Sequence, residues 1–203
     1  MIPLKYRNKP AILVATGPSL TEKVVQTIER YKDKFVIFGC NDSFRIVDFL
    51  DVHYACDRAW WNVHGEEFRE KRPKLESWTQ DKESAEKFRL NFTPGAHTKD
   101  LSLNSNLIHF GSNSGYQLLN IAFLMGCSKF LLVGYNMQPV KNKRHFFGDH
   151  PKGLNNSSPY NRFIQAYKTI SPEIASLIVN CTTDSALTFF EYEPLEKALK
   201  KYD

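Results

Sequence analysis

The chain has 203 residues, of which 42% are hydrophobic and 24% charged. These are the proportions of a globular protein, and they exclude wholesale disorder. The length suits one domain with at most a small lid, and no run of about 18 uncharged apolar residues offers a transmembrane helix. The formal charge of +5 and a pI near 8.9 permit a polyanionic partner without requiring one.

The opening MIPLKYRNKP has no apolar signal core and runs straight into a strand pattern, so no secretory leader is expected and the cytoplasm is the expected location. Cys40, Cys56, Cys127 and Cys181 lie far apart, three of them in apolar runs. They read as buried thiols in a reducing compartment, not as a disulfide frame or a zinc site.

In chain order, AILVAT (11–16) is a buried-strand pattern. Residues 21–33 have helical spacing at Val24, Val25, Ile28 and Tyr31. FVIFGCN (35–41) and VHYAC (52–56) are strands, 58–72 is a helix with its aromatic residues inward, and LESWT (75–79) is a fourth strand. SGYQLLNIAFLMG (114–126) is a helix closed by Gly126, followed by a strand at 129–137, a helix at 161–170, a strand at 175–181 and a helix at 193–202. The alternation predicts an α/β, Rossmann-like fold. A mostly parallel sheet is flanked by helices on both faces, in a single domain over 1–203. Polar stretches at 91–110 and 138–160 interrupt the pattern, and the second reads as a lid or active-site loop.

Ala15-Thr16-Gly17-Pro18-Ser19-Leu20 ends the first strand, and ligands of open parallel sheets bind beyond carboxyl strand ends. Gly17 can adopt conformations that other residues resist and lets a ligand approach. Ser19 and Glu22 have capping-box spacing, which predicts a helix start at Ser19 with N–H groups open to a phosphate. Ser112-Asn113-Ser114-Gly115 opens a second helix in the same manner, although ordinary capping gives the same pattern. Asn41 and Asp57 fall on the same rim and can read a base or ribose, or simply make turns. Lys141 to Lys152 holds four cations, Lys141, Lys143, Arg144 and Lys152, with His145 and His150. A histidine there can serve as general base and the cations can neutralise a departing phosphate. The Phe146-Phe147 pair argues against a fully solvated loop. His53, His64, His97 and His109 read as structural. Neither dinucleotide fingerprint nor P-loop is present. No Asp-x-Asp pair is available to hold a metal, so a transferase of this kind is expected to work without one.

Taken in order, several motifs resemble bacterial lipooligosaccharide sialyltransferases with a Rossmann-like nucleotide domain. They are Gly17-Pro18-Ser19-Leu20, Cys40-Asn41, Ser114-Gly115 with Leu124-Met125-Gly126, the strand Lys129 to Gly134, His145-Phe146-Phe147-Gly148 and Cys181 to Leu187. More distantly the chain is similar to archaeal-type hydroxymethylpterin pyrophosphokinases. The first resemblance implies nucleotide contacts at Thr16, Gly17, Pro18, Ser19, Asn41, Asn113, Ser114 and Gly115, with Asp57, Tyr135 and Asn136 beside them. It makes His145 the base that deprotonates the acceptor hydroxyl. Asn136 stands where the family has Asp, and the family's paired tyrosines, which assist the leaving phosphate, are not at matching positions. Arg144 or Lys143 can do the same electrostatic work. Cys56-Asp57 replaces a third-strand asparagine, and a carboxylate there suits hydroxyls but repels an acidic sugar.

The expectation is a metal-independent, inverting glycosyltransferase that needs no cofactor and uses a CMP- or UDP-linked sugar. The acceptor stays open between a glycan or other small molecule and a hydroxylated base in nucleic acid. The alternatives are a diphosphotransferase using magnesium on Asp42, Asp57 or Asp149, and a nucleotide-binding module without catalysis.

Overall fold

The computed structural model describes residues 1–154 and 158–202. The first half contains β1 (Pro10–Val14), α1 (Glu22–Glu29), β2 (Val36–Cys40), a 3-10 turn (Asn41–Arg45), β3 (Val52–Tyr54), α2 (Arg58–Lys71), β4 (Glu76–Thr79), α3 (Lys82–Phe88) and β5 (Asn91–Phe92). There follow β6 (Gly95–Ala96), β7 (Ile108–His109), α4 (Ser114–Leu124), β8 (Lys129–Val133), α5 (Tyr160–Tyr167), α6 (Pro172–Ala175), β9 (Ile178–Asn180), β10 (Glu191–Tyr192) and α7 (Leu195–Tyr202).

Eight strands form one sheet in the order β10-β9-β8-β1-β2-β3-β4-β5, and every neighbouring pair is parallel. Parallel sheets are covered on both faces, so their central strands are apolar throughout. Ala11 to Val14 are accordingly all buried. Alternate side chains serve opposite faces. Ala11, Leu13, Phe38 and Leu132 pack with Leu118, Leu119 and Ala122 of α4 and with Tyr167 of α5. Ile12, Val14, Ile37 and Leu131 pack with Ile28 of α1, Trp61 and Phe68 of α2 and Leu199 of α7. Truncating any of these buried leucines or isoleucines to Ala costs about 2–5 kcal/mol.

The α/β, Rossmann-like fold with helices on both faces is therefore present. β1 lies between β2 and β8, so the chain winds one way from β1 through β4 and the other way from β8 to β10. The reversal lies at the carboxyl ends of β1 and its neighbours, which is where such sheets open a crevice.

Local details depart from the sequence pattern. The first helix starts at Glu22, not Ser19, because Thr21 is the cap and accepts from Val24 N–H at 3.3 Å. The Ser19 hydroxyl instead donates to Asn136 Oδ1 at 2.8 Å. The stretch 91–110 is ordered by three short strands, β5 extending the main sheet and β6 pairing with β7. The expected lid over 138–160 includes residues 155–157, which lie outside the described residues. Its described part is held by two tight pairings, Val140 with Lys143 and His145 with Gly148. All four cysteines are buried and free. Among the described residues, no helix is long and apolar enough to cross a membrane.

Candidate active site

A cleft of about 710 Å³ opens where the ends of β1, β2, β3 and β8 meet the start of α4. Its closest approach is between Thr16-Gly17 and Gly134. The Gly17 N–H donates to Gly134 O at 2.9 Å, and Gly134 sits at φ +75. A Cβ on Gly17 would overlap both Gly134 O and Asn136 Oδ1. This packing of β1 against β8 requires the glycine, whose backbone is not left-handed.

Asn136 is buried and its amide is fully used. Oδ1 accepts from the Ser19 N–H at 3.2 Å and from the Ser19 hydroxyl, while Nδ2 donates to Thr183 O at 2.8 Å and Asp184 O at 3.3 Å. An aspartate could not make the two donations, which accounts for Asn here. Asn136 borders the cleft, but Pro18 and Ser19 do not line it. Tyr135 does not line it either. It is fully buried, and its hydroxyl donates to Gly115 O at 3.1 Å, bracing β8 against α4.

Asn113 caps α4. Its Oδ1 accepts from Tyr116 N–H at 2.9 Å and from the Tyr167 hydroxyl at 3.1 Å, and its Nδ2 donates to Gly111 O at 3.0 Å. The first N–H groups of a helix have no intrahelical partner, so Ser114 and Gly115 bring the positive end of α4 to the cleft wall. Ser114 Oγ lies 3.0 Å from Cys56 Sγ. A Cβ on Gly115 would lie 2.9 Å from the Tyr135 ring, so the close packing of α4 on β8 sets this residue too.

Three cleft residues that are not glycine hold left-handed backbones, Asn41 at φ +48, Ser112 at +65 and Met137 at +51. Such strain, of order 1–3 kcal/mol each, concentrates at functional sites.

His145 is anchored on the end of β1. Its Nδ1 lies 3.1 Å from Thr16 Oγ1, and the next residue's N–H donates to Thr16 O at 3.0 Å. The ring stacks on Phe147, with centroids 5.0 Å apart and planes 3° from parallel. Burial, and then the neighbouring His150, lower its pKa from 6.5 to about 4, so the imidazole is neutral and can accept a proton. The structure thus brings Thr16, Gly17, Asn41, Asp57, Asn113, Ser114, Gly115, Asn136, Arg144 and His145 to one cleft. Lys143 is exposed and outside it, its backbone spent on Val140.

Asp57 precedes α2 without capping it and lies exposed on the cleft rim. The adjoining Arg58 is held by Asp81 at 2.8 Å and Glu83 at 2.7 Å, so its charge is already partnered. Asp42 is not a rim carboxylate. It is buried, and it accepts from Arg45 Nε and Trp60 Nε1, each at 2.9 Å. Among the described residues, no group of three or more His, Cys, Asp or Glu is arranged to hold a metal.

The cleft is also lined by residues the motifs do not reveal, Phe110, Tyr160, Phe163 and His97, and by His150 of the candidate basic loop. His97, read as structural, packs edge-on against Phe110 at 4.7 Å and lines the cleft. Aromatic residues inside otherwise polar stretches were the available signal. His53 and His64 are buried as expected, and the His109 ring donates to Asp100 O at 2.9 Å.

No family model matches the chain, and no curated protein matches it in sequence. Among solved structures, it is similar to the MAf glycosyltransferase from Magnetospirillum magneticum AMB-1, with a TM-score of 0.63 and 10% identity. That likeness covers 93% of this chain and 34% of the other, so the chain spans about a third of that protein's length. It supports a Rossmann-like fold of the kind a glycosyltransferase uses, and leaves the sialyltransferase and pterin kinase resemblances without support of their own.

Proposed function

We propose that the chain is a glycosyltransferase that binds a nucleotide sugar in this cleft and uses His145 as general base. The observation that carries the reading is a neutral imidazole held against Thr16 at the strand reversal, in the same cleft as the start of α4. The positive end of α4 and the Arg144 cation suit the phosphate. The acceptor hydroxyl attacks the anomeric carbon opposite the departing phosphate, which inverts that carbon, and His145 takes the hydroxyl proton. Asp57 favours a donor whose sugar is neutral, since an acidic sugar would meet a second negative charge. No step in this scheme needs a metal. The fold neighbour's name as a glycosyltransferase supports the reading. The diphosphotransferase alternative is weakened because Asp42, one of its three candidate carboxylates, is consumed by Arg45 and Trp60.

The test is thermal stability with CMP, CDP, UDP, GDP and ATP, with and without magnesium. A ligand at 100 times its Kd stabilises by about 2.7 kcal/mol. A shift with CMP, CDP or UDP that needs no metal supports the reading, and no shift with any nucleotide removes its basis. His145→Ala is expected to keep the shift and lower transfer by roughly 10²–10⁴-fold.

A further inference from the structure

A second imidazole shares the cleft with His145. The turn that pairs His145 with Gly148 folds the chain back, so the His150 ring centroid lies 4.5 Å from that of His145 and 5.2 Å from that of Phe147. Both rings line the cleft, whereas the exposed Lys143 does not. With His145 committed to the acceptor, a departing phosphate needs an acid of its own, and a protonated imidazole is suited to that task.

Building on the nucleotide-sugar reading, we propose that His150 is the leaving-group acid, taking up a proton as the nucleotide phosphate binds. The step then balances. The acceptor oxygen gives its proton to His145 and forms the new bond to the anomeric carbon. The bond from that carbon to the phosphate oxygen breaks, and its electron pair leaves with the phosphate. The His150 imidazolium donates its proton to that oxygen. A proton passing between the neighbouring rings from His145 to His150 resets the pair, and the released phosphate loses its extra proton to solvent.

The surroundings fit this division. Burial disfavours charge on His150, while Asp42 from the 3-10 turn, Asp149 beside it and Asp57 beyond β3 favour it. His145 has in addition His150 itself opposing its charge, so the second proton is harder to add there. His64 of α2 also faces His150, and Arg144 lines the same cleft. Burial holds both imidazoles below the usual histidine range, so proton uptake must accompany phosphate binding.

The experiment is calorimetry of CMP, UDP and the matching nucleosides between pH 6 and 8, in two buffers of different ionisation heat. Wild-type protein and His150→Gln are compared. Wild type is expected to take up a proton with the nucleotides and not with the nucleosides. Its affinity should fall with rising pH by up to about tenfold per unit, the limit for one linked proton. His150→Gln should still bind at pH 8, lose the extra pH slope and lose the alkaline limb of the kcat–pH profile. The ligand's own titration is common to both proteins. Nucleotide binding without proton uptake in wild type, or uptake unchanged in His150→Gln, overturns the assignment alone. Absence of nucleotide binding by wild type at every pH overturns it together with the nucleotide-sugar reading.

Discussion

A methyl group at Gly17 would occupy the space of Gly134 O and Asn136 Oδ1. Backbone on one side and a fully bonded amide on the other leave nothing to yield. Gly17→Ala should therefore cost about 3 kcal/mol, the upper end for overpacking, and abolish nucleotide-dependent stabilisation, both read from denaturant unfolding. Asn136→Asp keeps the acceptor for Ser19 but forfeits the donations to Thr183 and Asp184. It also buries a carboxylate, so a loss of about 2–3 kcal/mol is expected at neutral pH. His53 gives the protein an acid limit. Its Nε2–H donates to Asn41 O at 2.8 Å, and its ring lies among aromatic side chains, with Phe68 at 4.4 Å. Burial lowers its pKa from 6.5 to about 4. Because the unfolded chain binds this proton more readily, the contribution is complete above pH 6.5 and shrinks as pH falls toward 4, by about 3 kcal/mol in all. His145 acts with the same sign. Urea unfolding between pH 7.5 and 4 should show the decline, and His53→Gln should flatten part of it. Little of this residue-level detail is legible in the sequence. Gly17 and Asn136 stand out by position, but which atoms they meet depends on β8, more than 100 residues from β1 in the chain.

Among the elements, α4 is buried along nearly its whole circumference, from Ser114 through Ala122 and at Leu124. Its register is held at one end by Asn113, which serves both the Tyr116 N–H and the Tyr167 hydroxyl of α5. Asn113→Ala should cost about 1–2 kcal/mol, as for loss of a strong helix cap, with weakened nucleotide binding because Ser114 and Gly115 lose their fixed direction. Paired calorimetry and thermal melts check it. Elements with long apolar runs, such as β1, β8 and α4, are readable because burial on two faces leaves no other use for such runs. By contrast, α3 (KESAEKF) buries only Ser84, Ala85 and Phe88. It owes its start to Asp81, which accepts from Ser84 N–H at 2.9 Å, a signal too short to give a period. The rim residues Thr16, Asn41, Asp57 and Ser114 are legible because parallel strands send all their carboxyl ends to one side. Phe110 and His97 are not, because their approach to that rim is made by tertiary packing of loops.

For the whole molecule, the strand order joins β1 to a nearby and a distant partner, since Ala11 pairs with Val36 on one flank and Phe130 on the other. Such non-local pairing predicts folding slower than that of helical proteins of similar size. The borders of the sheet have a separate consequence. β5 and β10 contribute two residues each, Asn91–Phe92 and Glu191–Tyr192. A stray extended segment would find only two backbone rungs at either margin before the chain turns away, too few to template stacked growth. Concentrated, aged solutions should therefore stay free of dye-binding fibrils, despite a sheet eight strands wide.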